Sequence, residues 1–222
     1  MTDRISYNLT MKFTPSDHFD AGQRSLSTTT RDGQPMRVIT ASRTFDVTPE
    51  ELWDALTMPE RVQRWLGPTS GDFKVGGRFD IEDNASGDIL TCDKPTLIQV
   101  TWEYDGDTSW VDATLTPSGD GTTLTVKHTA VIPLEWWEQF GAGAVGIGWE
   151  MVLMGIAEHL AAPDAPQLNP ADPVLRSRFN EFMAASSVAW ADTEIAAGGD
   201  PDQARAAAER TLASYTGDSS ET

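Results

Sequence analysis

The chain has 222 residues, enough to bury a sizeable core, and is long for one domain but short for two. Its 34 acidic residues outnumber the 16 basic ones, and the resulting charge of −18 argues against nucleic acid and anionic membranes as partners. The single cysteine, Cys92, excludes an intramolecular disulfide and a cysteine-based metal cluster. The N-terminus lacks an apolar signal-peptide core, and no uninterrupted apolar run approaches about 18 residues, so we expect a cytoplasmic protein that does not span a membrane.

Residues 1–35 are predicted to form an N-terminal extension. Strict alternation of apolar side chains from Ile5 to Phe13 predicts a half-buried strand. Further along, Asp32-Gly33 is typical of a hairpin turn and is expected to join residues 25–31 to a long strand over residues 36–47.

Two short helices follow this strand. Thr48 is the expected N-cap of the first, with Pro49 at its first position and Glu51 placed to complete a capping box. Pro59-Glu60 opens the second helix, and Gly67-Pro68 ends it.

From residue 72 to residue 129 the apolar side chains alternate in short runs separated by turn residues. One run is expected to begin at Asp72 and to place Phe73, Val75 and Phe79 on one face. Later runs behave in the same way, and their short connections predict an antiparallel meander with one dry face.

Two polar residues within the meander carry specific expectations. Arg78 lies on the face opposite Phe79, where a surface ion pair with Asp80 or Glu82 is expected. The alternative is a cavity-facing Arg78 that binds a ligand carboxylate through two hydrogen bonds. Cys92 is predicted to be a small core residue, because no basic cluster adjoins it to stabilise a thiolate.

The glycine-rich segment 141–148 is expected to be a mobile connection. No lysine follows it at the spacing of a phosphate-binding loop, and no strand and helix flank it as a dinucleotide site requires. A long helix is predicted next, with one apolar stripe formed by Trp149, Val152, Leu153, Ile156 and Leu160.

Residues 161–222 are predicted to form a C-terminal helical extension. Prolines punctuate a linker, after which two amphipathic helices begin near Pro173 and Pro201. Their apolar faces must be covered, either by packing on the preceding domain or by forming a homodimer surface.

Several motifs in a fixed order carry a resemblance to a known family. They are Pro49…Trp53…Leu56-Thr57…Pro59-Glu60…Trp65, Gly76-Gly77-Arg78-Phe79, Pro95-Thr96-Leu97 leading to Trp102, Gly121-Thr122…Leu124, His128, and Gly148-Trp149…Leu153. Over residues 36–160 the chain resembles the SRPBCC (START and birch-pollen-allergen-like) superfamily, in the branch named after activators of the heat-shock protein 90 ATPase. The resemblance implies an α+β helix-grip fold, in which a curved antiparallel sheet wraps around a long helix and usually leaves a cavity. The C-terminal helices would be additional to it.

The candidate cavity-lining residues are Trp65, Phe79, Trp102, His128, Trp149 and Leu153. His128 shares the face of Leu124 and Val126, which should point toward the long helix. It is either an acid, base or ligand donor within the cavity or a hydrogen-bonded core histidine. No metal-ligand spacing is present, and the sequence predicts no catalytic residue, metal or cofactor.

The expected function is the binding of a hydrophobic small molecule between the sheet and the long helix. One alternative is a protein-interaction role like that of the heat-shock ATPase activators. Another is a cyclase-, aromatase- or hydrolase-like enzyme that uses the same cavity, for which the chain offers only His128, with Tyr104 or Asp112. A pocket with two or more convergent titratable groups would favour the enzyme.

Overall fold

The computed structural model describes residues 15–169 and 171–217. The elements in this part of the chain are α1 (Pro15–Asp20), β1 (Gly22–Arg31), β2 (Gln34–Phe45), α2 (Pro49–Thr57), α3 (Pro59–Trp65), β3 (Thr69–Gly71), β4 (Arg78–Ile81), β5 (Ser86–Asp93), β6 (Leu97–Tyr104), β7 (Asp107–Ser118), β8 (Gly121–Ala130), α4 (Leu134–Phe140), α5 (Gly143–Ala161), α6 (Pro173–Ala196) and α7 (Pro201–Thr216). The strands form one antiparallel sheet in the order β1-β2-β8-β7-β6-β5-β4-β3. The sheet curves around α5, so the predicted helix-grip fold is confirmed.

The hairpin at Asp32-Gly33 forms as predicted. Asp32 has φ 51° and Gly33 has φ 80°, the left-handed conformations that a tight two-residue hairpin turn requires. The register of the two strands therefore begins at Arg31 opposite Gln34. The strand predicted over residues 5–13 lies outside the described residues.

The two short helices also follow the prediction, with one difference at the cap. The Glu51 backbone N–H donates to Thr48 Oγ1 at 3.3 Å, so Thr48 caps α2. The Glu51 carboxylate does not complete the capping box but accepts from Arg61 Nη2 at 2.8 Å. This ion pair ties α2 to α3.

The strand expected to start at Asp72 is wrong, because residues 72–77 form a loop between β3 and β4. Gly71 has φ 131° and Gly76 has φ 80°, which side chains rarely adopt, and a Cβ atom on Gly77 would overlap the carbonyl oxygen of Asp72. The glycines therefore fold the chain back on itself. Phe73 and Val75 lie in this loop and are exposed.

The expectation of a mobile glycine-rich connection is also wrong, because α5 begins at Gly143. A Cβ atom on Gly146 would overlap the indole ring of Trp190 in α6. The absence of a side chain lets the two helices approach closely, so this glycine serves packing rather than mobility.

The C-terminal helices pack against α5, and α6 also contacts β1 of the sheet. In α6 the buried apolar residues are Leu175, Phe179, Phe182, Met183, Trp190 and Ala191. The Glu194 carboxylate accepts from the Trp137 indole N–H at 2.7 Å and from the Ala142 backbone N–H at 3.1 Å, beside the first turn of α5. By length and composition alone α5 is apolar enough to cross a membrane, but here it packs between the sheet and α6, as core helices do.

Candidate functional site

The candidate site is a cavity of about 200 Å³ between the concave face of the sheet and α5, which we call the sheet cavity. Its walls come from α2, α3, the loop 72–77, strands β3 to β8 and α5. The sheet contributes Ile98, Val100, Val111, Ala113, Leu124 and Val126, among others. The interior is therefore largely hydrocarbon, as is usual for small-molecule sites.

The structure brings four of the six predicted residues together. Trp65, Phe79, Trp102 and Trp149 line the sheet cavity. Leu153 is buried in the core but does not line the cavity, because α5 presents Trp149, Val152 and Ile156 to it instead. The apolar stripe predicted from the sequence therefore includes more residues of α5 than those that line the cavity.

Three aromatic rings form a continuous row along one wall of the cavity. The ring centroids of Phe79 and Trp102 lie 6.0 Å apart, and those of Trp102 and Trp149 lie 5.2 Å apart. Both pairs are tilted rather than stacked face to face, which is a favourable arrangement for aromatic rings. The row joins β4 and β6 to the long helix.

His128 lies behind this wall rather than in it. The Trp149 indole N–H donates to His128 Nδ1 at 2.9 Å. His128 Nε2 lies 2.8 Å from the Ser109 hydroxyl, which itself donates to the Trp102 carbonyl at 3.0 Å. Since Nδ1 must accept, the proton of the neutral ring lies on Nε2 and is donated to Ser109.

Burial determines the charge state of His128. It lowers the pKa of His128 to about 4, so the ring is neutral at physiological pH. The contacts are those of a hydrogen-bonded core histidine that orients the indole of Trp149. Of the two interpretations left open by the sequence, the geometry supports this one rather than an acid or base in the cavity.

The mouth of the cavity includes residues that the sequence interpretation missed. Phe73 and Lys74 reach it from the loop 72–77, and Cys92 reaches it from β5. Cys92 was predicted to be a core residue but is exposed. The sequence does contain a signal for the position of Phe73. The pair Gly76-Gly77 indicates a turn, and a turn at this point means that Phe73 does not belong to the strand that follows it.

Few polar side chains line the described cavity: those of Thr57, Thr69, Lys74 and Cys92, apart from the indole groups. Lys74 is largely exposed and paired with Asp72 at 2.8 Å. Burial and the Asp93 carboxylate raise the pKa of Cys92, so its thiol stays protonated. Within the described lining, therefore, no two titratable groups are arranged as an acid and a base.

Thr69 differs from these residues in its hydrogen bonding. Its Oγ1 atom is buried and has no hydrogen-bond partner in the described part of the chain. A buried hydroxyl without a partner costs about 1–3 kcal/mol.

Arg78 lies outside the cavity, as expected, but its predicted partners were wrong. It binds Asp88 at 2.8 Å and Glu103 at 2.7 Å instead of Asp80 or Glu82. Strand pairing places Arg78 directly opposite Asp88. Cross-strand neighbours are closer to it than residues two or four positions along its own strand.

Comparison with known proteins supports the same fold. The family model described as activator of Hsp90 ATPase homolog 1-like protein matches residues 46–161. The crystal structure of CalU16 from Micromonospora echinospora is 30% identical, with a TM-score of 0.61, and the match covers 78% of this chain and 98% of CalU16. The solution NMR structure of CalU16 is 31% identical with a TM-score of 0.62, covering 80% and 97% of the two chains. MLL2253 from Mesorhizobium loti is 27% identical with a TM-score of 0.51, covering 58% and 99%. No curated protein matches the sequence at a significant level.

Proposed function

Because the chain belongs to the family of activator of Hsp90 ATPase homolog 1-like proteins, whose members bind hydrophobic ligands or activate Hsp90, we propose that it binds a hydrophobic small molecule in the sheet cavity. The observation that carries this proposal is the cavity of about 200 Å³ with its hydrocarbon lining. Drug-sized ligands occupy pockets of roughly 300–1,000 Å³, so the size supports a compact ligand.

The lining of the cavity narrows the class of ligand. The aromatic row of Phe79, Trp102 and Trp149 supplies an apolar wall of tilted rings, and few polar side chains lie beside it. This combination suits a compact, largely apolar ring compound. The charge of −18 supports neither nucleic acid nor an anionic membrane as a further partner.

Native mass spectrometry of the freshly purified protein tests the proposal. The result expected is a reproducible extra mass that disappears when the same sample is denatured. Ala113→Phe should abolish this mass, because Ala113 lines the cavity and a phenyl ring there occupies its volume. Thr114→Phe is the matched control, since the next residue on β7 is exposed. A clean mass for the unmodified protein, or an extra mass retained by Ala113→Phe, would contradict the proposal.

The second candidate is a protein-interaction role, and the family description supports it. In that case the outer surface rather than the cavity would carry the function. The direct test is whether the protein stimulates the ATPase activity of Hsp90. In this role Ala113→Phe, which fills the cavity, should stimulate the ATPase as well as the unmodified protein does. Stimulation by both proteins would favour this role over ligand binding.

A further inference from the structure

A second and larger cavity, of about 310 Å³, lies on another side of α5, and we call it the helix groove. Its floor is one face of α5, formed by Gly148, Met151, Val152, Gly155 and His159, and continued by Ala162 just past the end of the helix. These positions follow helical spacing from one end to the other, so the floor is about 20 Å long. The groove is therefore elongated.

Gly148 makes part of the floor low. Gly155, two turns further along the same face, instead packs against α3, where its Cβ atom would meet the Trp65 carbonyl oxygen at 3.0 Å. A Cβ atom on Gly148 would meet only the hydroxyl of Tyr215, at 3.4 Å. Packing therefore does not require glycine at this position, and the missing side chain leaves space within the groove.

The sides of the groove are apolar apart from Asn84 and Gln167, and they come partly from the C-terminal extension. Leu168 contributes from the segment after α5, Phe179 from α6, and Tyr215 from α7. These residues lie beyond residues 46–161, the part matched by the family model. The groove is thus a feature that the extension adds to the helix-grip domain.

One end of the groove is polar and includes the exposed guanidinium of Arg64. Arg61 Nε donates to His159 Nε2 at 3.2 Å, so His159 acts as an acceptor in that bond. The nearby Glu158 carboxylate is already bound to His18 at 2.9 Å. Arg64 also lines the groove, is exposed at its rim, and forms no hydrogen bond or ion pair with the described residues. A guanidinium fork in this setting binds a carboxylate through two parallel hydrogen bonds.

We propose that the helix groove is a second binding site, which takes a long-chain carboxylate. The hydrocarbon chain lies along the glycine face of α5 between Met151 and Phe179, and the carboxylate binds Arg64 at the rim. This site is separate from the one proposed for the sheet cavity, although Trp65, Leu66 and Val152 contribute to both walls.

Titration with palmitate, followed by NMR of ¹³C-methyl methionine, tests the site directly. Met151 and Met154 line the helix groove and do not line the sheet cavity. Their two methyl signals should shift together on titration, with saturation at one equivalent. Absence of binding, or saturation with these two signals unmoved, would overturn the proposal.

Three variants distinguish binding in the helix groove from binding in the sheet cavity. They also separate the contribution of the carboxylate from that of the hydrocarbon chain. Gly148→Leu fills the floor and should weaken palmitate binding about tenfold or more. Arg64→Gln should weaken palmitate binding by about fivefold to tenfold but leave hexadecan-1-ol unaffected, because only palmitate carries the charge. Ala113→Phe, which fills the sheet cavity, should leave palmitate binding unchanged.

Other results would count against the helix groove. Loss of palmitate binding in Ala113→Phe alone would place the hydrocarbon chain of palmitate in the sheet cavity. If Arg64→Gln weakened the binding of palmitate and hexadecan-1-ol equally, Arg64 would not be the group that binds the carboxylate. Arg64 is exposed, so this variant remains informative even where Gly148→Leu fails to fold.

Discussion

His128 shows at the scale of a single residue how burial turns a titratable group into a structural one. Its ring accepts from Trp149, donates to Ser109 and has a pKa of about 4 against an ordinary value of 6.5. The unfolded chain therefore binds a proton between these two values while the folded protein does not. It follows that the contribution of His128 to stability is complete above pH 6.5 and is lost as the pH falls toward 4.

We expect His128 alone to remove about 3 kcal/mol of unfolding free energy between pH 7 and pH 4, at about 1.4 kcal/mol per pKa unit. His128→Gln should be less stable at pH 7 but should lose correspondingly less on acidification. Urea unfolding monitored by tryptophan fluorescence at several pH values measures this difference. Lys127→Gln, on the exposed neighbouring position, should keep the slope of the unmodified protein. Equal slopes for His128→Gln and the unmodified protein would show that another group is responsible.

The candidate site was predictable from the sequence only where residues lie on regular elements. Trp102 and Trp149 could be placed because strand alternation and helix spacing determine the direction of a side chain. Phe73 and Lys74 could not, because they lie in the loop 72–77, whose packing over the cavity depends on contacts outside the strand pattern. Cys92 was misassigned because the apolar character of a strand residue does not reveal whether its side chain faces solvent or another layer of the protein.

At the scale of elements, the packing of α6 on α5 depends on a single missing side chain. We expect Gly146→Ala to lower the unfolding free energy by about 1–3 kcal/mol, because its Cβ atom would overlap the indole of Trp190. Gly148→Ala is the matched control two positions away. Its Cβ atom finds ordinary contact with Tyr215, so it should raise the unfolding free energy by about 0.5–1 kcal/mol through helix propensity alone.

Thermal and urea unfolding of the two alanine variants distinguish packing from propensity. A stabilising effect of both variants would mean that α5 and α6 can move apart at no cost. The same comparison explains why the glycine-rich segment was misread in the sequence. Glycine is compatible both with a mobile connection and with close packing of helices, and only the presence of Trp190 on the neighbouring helix decides between them.

The order of elements was more predictable than their contacts. Alternation and turn residues identified most of the meander, and the capping signals at Thr48 and Pro59 identified α2 and α3, because these signals are local in the sequence. Whether the apolar face of α6 would cover α5 or a second subunit depended on contacts between distant residues. Periodicity alone carries no information about such partners.

At the scale of the whole molecule, a buried ion pair joins the N-terminal hairpin, the long helix and the C-terminal extension. Arg24 of β1 lies 2.5 Å from the Glu150 carboxylate of α5, and the Ser186 hydroxyl of α6 donates to the same carboxylate. The side chains of Arg24 and Glu150 are only 11% and 5% exposed. Burial raises the pKa of Glu150, and the charge of Arg24 opposes that rise.

Removing one partner should therefore be far more damaging than removing both. We expect Arg24→Met to lower the unfolding free energy by about 3–5 kcal/mol near neutral pH, because it leaves an uncompensated buried carboxylate. A raised folded-state pKa favours the folded protein at low pH, so this cost should grow as the pH rises from 5 to 8. The double variant Arg24→Met/Glu150→Gln should recover most of the loss and be nearly independent of pH in that range. If the double variant were as unstable as Arg24→Met, the unpaired charge would not be the cause, and the three parts of the chain would be held together by apolar packing instead.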